Sequence, residues 1–200
     1  MSSRINKIIG ITGGIGSGKS VVSRILRLYR YEVYDCDSRA KSLMDKSTVI
    51  KERIASEIST DAVNEDGIID RPLLAEIVFK DEQMRIRLNE IVHSSVREDI
   101  SALRKSMPEE KKLFVEAAIM AESGLAELCD EIWIVDTLDE DLRVARVMER
   151  NGCDAGSVRA RIDSQQREAD LLFHFREKTQ IIINDDIEPL LPQINELLEL

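Results

Sequence analysis

Gly13-Gly14-Ile15-Gly16-Ser17-Gly18-Lys19-Ser20 fills every fixed position of the pattern G-x-x-x-x-G-K-[ST]. Four glycines allow positive φ and close backbone approach to a polyphosphate, so that successive N–H groups and the start of a following helix face the negative charge. Lysine at position 19 reaches β- and γ-phosphates, and serine at position 20 ligates Mg²⁺. The chemistry predicted is the binding of a nucleoside triphosphate. A glycine-rich turn that binds nothing is the bland alternative, and the complete motif in a strand–loop–helix context weighs against it.

Transfer of a phosphoryl group asks for a metal, cations around the γ-phosphate and a base beside the attacking oxygen. Asp37 is the candidate base, because it follows the second predicted strand and a carboxylate there can accept a proton from an acceptor hydroxyl. Asp35 shares its side if the strand continues, and capping of the next helix explains the pair equally well. Glu116, at the end of the third strand, is either an acid near Mg²⁺ or a glutamate exposed at a strand end. Arg143, Arg146 and Arg150 form a helical stripe suited to diffuse phosphate charge or to a salt-bridged wet face. His93 and Arg97, four apart, share one helix face and read as an anion site or as a structural pair.

The elements that must hold these groups follow from periodicity. Residues 7–12 read as a buried strand, and Val21, Val22, Ile25, Leu26 and Tyr29 recur at helical spacing with Arg24, Arg27 and Arg30 on the wet face. Residues 32–37 form a short strand. The region 38–107 is mostly helical, with a turn at 64–67. Strands follow over 112–119, ending near Glu116, and over 131–136, and their continuous apolar character predicts a parallel sheet covered on both faces. A helix over 139–150 breaks at Asn151-Gly152; a charged helix spans 154–172, a last strand 180–184 and a closing helix 190–198, which Pro192 opens or kinks.

The pattern predicts an α/β parallel-sheet P-loop kinase core, about 1–37, 108–142 and 179–200, with a helical substrate-binding insertion at 38–107 and a helical lid at 143–178. The 200 residues suit one such domain, and 43% hydrophobic content supports a sizeable core. With 28 basic against 38 acidic residues the net charge is −10, which disfavours nucleic-acid and anionic membrane partners. Cys36, Cys129 and Cys153 are scattered without a C-x-x-C pair, so the expectation is a reducing cytoplasm and no zinc site. Residues 1–4 lead into the first strand without an apolar signal segment, and no stretch approaches a membrane span.

The run Gly10–Val22, together with Val33-Tyr34-Asp35-Cys36-Asp37, resembles the opening of the dephospho-coenzyme A kinase family. Asp70–Leu74, Val78-Phe79 and Leu88–His93 are similar to its substrate-domain signature, Met120–Leu125 to its E-x-G-L segment, Arg143–Arg150 to the start of its lid, and Arg159–Gln165 to its R-I-x-x-Q helix. Departures are Arg30 for a helix-closing glycine, Ser94 and Ala118 for prolines, and extra residues between Gln165 and Asn184. The resemblance implies ATP-dependent phosphorylation of the ribose 3′-hydroxyl of dephospho-coenzyme A, with ATP and Mg²⁺, in a monomer or small homo-oligomer. It also implies that Gly14, Ile15, Gly16, Ser17, Gly18, Lys19, Ser20, Val21, Arg146, Arg150 and Asn184 hold the nucleotide, Ser20 the metal, and Thr12, Asp37, Phe79, His93, Arg97 and Glu116 the acceptor. Asp37, Lys19 and Arg146 are its expected catalytic residues. A different small-molecule kinase and a nucleotide-dependent switch are the rival readings; no N-K-x-D guanine-reading sequence occurs.

Overall fold

A computed structural model describes residues 6–200; the segment before them, expected to lack an apolar signal sequence, lies outside the described residues. The chain divides into two compact units, one formed by residues up to Tyr34 together with Met107–Leu200, the other by Asp35–Ser106.

In the first unit, β1 (Lys7–Thr12), β2 (Glu32–Asp35, whose last residue begins the second unit), β3 (Lys112–Glu116), β4 (Glu131–Asp136) and β5 (Thr179–Ile183) form one sheet in the order β2-β3-β1-β4-β5. β1 runs parallel to both β3 and β4, and β4 parallel to β5. Strand alternation sends Ile9 and Ile11 to one face, where they join Phe114, Trp133, Val135 and Ile182. That face is covered by α1 (Lys19–Leu28), through Val22 and Leu26, and by α9 (Leu190–Leu198), through Ile194 and Leu198. Trp133 is fully buried there beside Phe114, whose other side meets the edge of Tyr31. Gly10 turns to the opposite face, where a Cβ would meet the Met120 methyl at 2.9 Å and the Cys129 sulfur at 3.0 Å. Both faces are therefore covered, as the apolar strands require.

Several local signals have direct counterparts. Arg30 takes φ 64°, so a side chain occupies the left-handed position that glycine would fill after α1. Pro192 sits in the first turn of α9, where a missing N–H costs no hydrogen bond, and so opens the helix without kinking it. Beyond it, the Gln193 side chain accepts a hydrogen bond from the N–H of Ile183 and donates one to the same residue's carbonyl, closing the rim of β5. α6 (Glu140–Asn151) is capped by the Asp139 carboxylate and stopped by Gly152 at φ 64°.

The charged stretch 154–172 is not the single helix its sequence suggests. It forms α7 (Ala155–Asp163) and α8 (Gln166–Leu172), broken at Ser164-Gln165, and then a 3₁₀ segment, Phe173–Lys178. No glycine or proline marks the break; long-range hydrogen bonds made by Gln165 and Glu168 hold it, as described below. Val144, Val147 and Val158 tie α6 to α7 in a small apolar cluster of their own.

The second unit is helical, as its pattern predicts: α2 (Cys36–Lys46), α3 (Thr48–Glu57), α4 (Arg71–Lys80) and the 25-residue α5 (Glu82–Ser106). Ile50, Ile54, Ala62, Ile69, Leu74 and Ile91 form its core. Val63 and Ile69 bridge across the turn at 64–67, and Asp70 caps α4 by accepting from the N–H of Leu73. Ser94, where a proline was expected from the resemblance, leaves α5 unbroken; its hydroxyl accepts from Arg53 and donates to the Ile91 carbonyl. Among the described residues no helix is long and apolar enough to cross a membrane.

Candidate active site

The loop between β1 and α1 is built to receive anionic oxygens. Gly16 has φ 81°, and a Cβ on it would lie 2.6 Å from the Arg143 carbonyl oxygen, so neither the conformation nor the space admits a side chain. The hydroxyls of Thr12 and Ser17 are buried and have no hydrogen-bond partner among the described residues. Lys19 folds back, donating from Nζ to the carbonyls of Gly13 at 2.5 Å and Gly14 at 3.2 Å. Ser20, at the start of α1, is exposed, and Val21 is 42% exposed. A cradle of this form, with orphaned hydroxyls and an ammonium at its mouth, fits a polyphosphate.

Around the loop stand groups from later in the chain. Asn184, just after β5, donates from Nδ2 to the Ser17 carbonyl at 2.8 Å. Arg143 in α6 donates from Nε to the Ile15 carbonyl at 3.0 Å, and its guanidinium lies against Gly14. Arg146, one turn on, binds the Asn184 carbonyl and the Asp186 carboxylate, while Arg150 reaches Asn151. Of the arginine stripe it is thus Arg143, rather than the Arg146 and Arg150 expected to hold nucleotide, whose bonds reach the loop. Glu116 closes β3 in register with Ile11, half-buried, beside the strand that delivers the loop. Next to the loop lies a cavity of about 390 Å³ bounded by Thr12, Gly13, Asp136, Arg143, Gln165 and Glu168.

A family model of dephospho-CoA kinase matches residues 7–187, a span that takes in the loop and nearly the whole fold. The chain belongs to the dephospho-CoA kinase family. It is a phosphotransferase that uses ATP, on a P-loop kinase fold. It is 40% identical to a dephospho-CoA kinase of Porphyromonas gingivalis, over 96% of this chain and 92% of the relative. Among solved structures it is similar to TT1252 from Thermus thermophilus, with TM-score 0.71 and 30% identity over 98% of this chain and 95% of that one. It is also similar to the dephospho-CoA kinase from Campylobacter jejuni, with TM-score 0.63 and 26% identity over the same shares.

The remaining residues singled out by resemblance to dephospho-CoA kinase lie in the second unit. β2 ends at Asp35, two residues earlier than the sequence suggests, and Asp35 is the helix cap: its carboxylate accepts from the N–H and the hydroxyl of Ser38, each at 3.0 Å. Strand periodicity therefore does not carry Asp35 and Asp37 to one side. Asp37 stands in the first turn of α2, exposed, and its carboxylate has no partner among the described residues. His93 and Arg97 are half-buried neighbours on α5; burial, and then the charge of Arg97, disfavour the protonated ring and hold the pKa of His93 below its ordinary value. Phe79, near the end of α4, is 92% exposed and outside that unit's core.

Two residues, one at the break between α7 and α8 and one in the first turn of α8, went unassigned in the sequence. The Gln165 side-chain carbonyl accepts from the N–H of Ile15 in the phosphate loop at 2.8 Å. Glu168, buried, accepts from the N–H groups of Ala121 at 2.7 Å and Glu122 at 2.8 Å. The R-I-x-x-Q resemblance marks the position of Gln165; no local signal marks Glu168.

Proposed function

We propose that this chain transfers the γ-phosphoryl group of ATP to the ribose 3′-hydroxyl of dephospho-coenzyme A, giving coenzyme A and ADP. The observation that carries the reading is the phosphate loop, with its orphaned hydroxyls and folded-back Lys19, in a chain that matches this family over nearly its whole length. The backbone of 14–20, with Val21 behind it, cradles the phosphates. Lys19 exchanges its loop carbonyls for phosphate oxygens and, with Arg146, offsets charge on the transferred group. Arg150 and Asn184 complete the nucleotide side.

Ser20 would hold Mg²⁺, which would supply positive charge against the phosphate oxygens. Among the described residues no three His, Cys, Asp or Glu side chains gather as a metal cage. Mg²⁺ binds through few protein ligands together with phosphates and water. On the acceptor side, Asp37 takes the 3′-hydroxyl proton as the oxygen–phosphorus bond forms and the bond to ADP breaks. Asp35 already caps α2, so the Asp37 carboxylate is left for that work. Thr12, Phe79, His93, Arg97 and Glu116 position the acceptor, and α6–α8 act as the lid that keeps water from the γ-phosphate.

The test is an acceptor panel: purified protein with Mg-ATP and, in separate reactions, dephospho-coenzyme A, nucleosides and nucleotides. ADP release and the mass of each acceptor are followed. Phosphorylation of dephospho-coenzyme A at its 3′-hydroxyl is expected. Brisk turnover on a nucleoside with none on dephospho-coenzyme A, or no turnover on any acceptor, sinks the proposal.

A further inference from the structure

Every group of Ile15, in the middle of the phosphate loop, is held by the helical segment that follows β4. Its carbonyl accepts from Arg143, its N–H donates to Gln165, and its side chain packs against the cluster of Val144, Val147 and Val158. A side-chain amide oxygen on that N–H is notable for what it displaces. In a loop that binds polyphosphate, the backbone N–H groups are the donors for the anionic oxygens. Gln165 presents a partially negative oxygen to one of those donors, as a phosphate oxygen would.

The glutamine is held in place from both sides. Its own N–H donates to the Ile162 carbonyl at the end of α7. One turn further, the two carboxylate oxygens of Glu168 accept from consecutive backbone N–H groups at Ala121 and Glu122 and fix α8 beside the loop that follows β3. The break at Ser164-Gln165 is thus the point at which two anchored helices deliver one amide oxygen to the phosphate loop.

We infer that Gln165 is a placeholder for a phosphate oxygen: its amide oxygen and a bound nucleotide compete for the Ile15 N–H. The inference rests on the phosphate-binding role proposed for the loop. It assigns Gln165 one effect, the lowering of nucleotide affinity. A competitor inside the site reduces apparent affinity by the fraction of molecules in which it is seated. For one neutral hydrogen bond that is roughly a twofold to twelvefold effect.

The experiment is calorimetric titration of the full chain with inorganic pyrophosphate and, separately, with Mg-ADP. Gln165→Ala removes the competitor and is expected to bind both about twofold to twelvefold more tightly than the wild type. Gln165→Glu places a full negative charge on the same donor and is expected to bind both more weakly. Opposite signs for the two variants are not what a merely structural glutamine would give. If Gln165→Ala binds no more tightly than wild type, or if both variants weaken binding, the placeholder role is overturned while the phosphate-loop reading stands. A wild-type protein that binds neither ligand overturns that reading as well, and so separates the two failures.

Discussion

Asp35 and Asp37 are separated by one residue and, in the structure, by role, so substituting each in turn gives a double dissociation. Asp35→Ala deletes the acceptor of two hydrogen bonds from Ser38. Loss of such a cap costs about 0.5–2 kcal/mol. At about 2–4 °C per kcal/mol for a chain of this size, the helical melting transition should fall by roughly 1–8 °C. A local cost near 1 kcal/mol accounts for no more than about a tenfold loss of rate. Asp37→Asn removes an exposed, unpartnered charge from the first turn of α2. Its stability cost should stay within about 1 kcal/mol, the scale of a carboxylate's attraction to a helix N-terminus.

The rate, by contrast, should fall by about 10²–10⁴-fold, the usual loss for a general base, with ATP binding nearly unchanged. Initial rates of ADP formation with dephospho-coenzyme A, ATP titrations, and melting followed by far-ultraviolet circular dichroism measure all three quantities. A near-normal rate for Asp37→Asn refutes the base assignment. So does an Asp35→Ala enzyme whose rate falls as far as that of Asp37→Asn while its stability is untouched.

Gly13 has φ 147°, and a Cβ on it would lie 2.2 Å from the Val135 carbonyl oxygen, a backbone atom that cannot swing aside. Gly13→Ala should therefore destabilise by about 2–6 kcal/mol, from strain and overpacking together; Gly67→Ala, also left-handed but with nothing within 4 Å, should cost about 1–2 kcal/mol, and thermal unfolding of the two compares them. Proton NMR of His93 should give a titration midpoint below the ordinary 6.5, and since burial is the larger cause, Arg97→Ala should raise it only part of the way back. Burial pushes the Glu168 carboxyl up, against the opposing pull of the Ala121 and Glu122 N–H groups. A raised carboxyl stabilises fully below its unfolded value and loses that contribution as pH rises through its folded value. Thermal unfolding of the wild type should accordingly decline as pH climbs out of the ordinary glutamate range, and Glu168→Gln should lack that decline.

The phosphate loop was legible because its chemistry is written at fixed local spacing, and the sheet because buried parallel strands are apolar throughout. The helical character of the insertion followed from periodicity, whereas its core of Ile50, Ile54, Leu74 and Ile91 is set by how those helices pack. Where two local signals competed, the sequence misled: period-2 alternation extended β2 through Asp37, but the Asp35–Ser38 cap had already started a helix. The stripe of arginines announced a helix face without saying which member would meet the loop. That depends on the rotation of α6, which burial of Val144 and Val147 sets and which leaves Arg143 over Gly14. Least legible was Glu168, since a glutamate among charged neighbours reads as solvated. Its partners, the N–H groups of Ala121 and Glu122, lie more than 40 residues away in the chain.

Trp133, the chain's one tryptophan, is fully buried against Phe114, and Tyr29, Tyr31 and Tyr34 all precede the second unit. Asp35–Ser106 contains neither tryptophan nor tyrosine. Ultraviolet emission excited at the red edge of protein absorbance therefore reports the sheet and is blind to the helical unit, whereas amide dichroism, dominated by helices, sees both. The composition of the two units thus supplies a native two-channel optical label. Any gap between the two signals during unfolding measures how independently the helical unit melts, without a dye or an engineered residue.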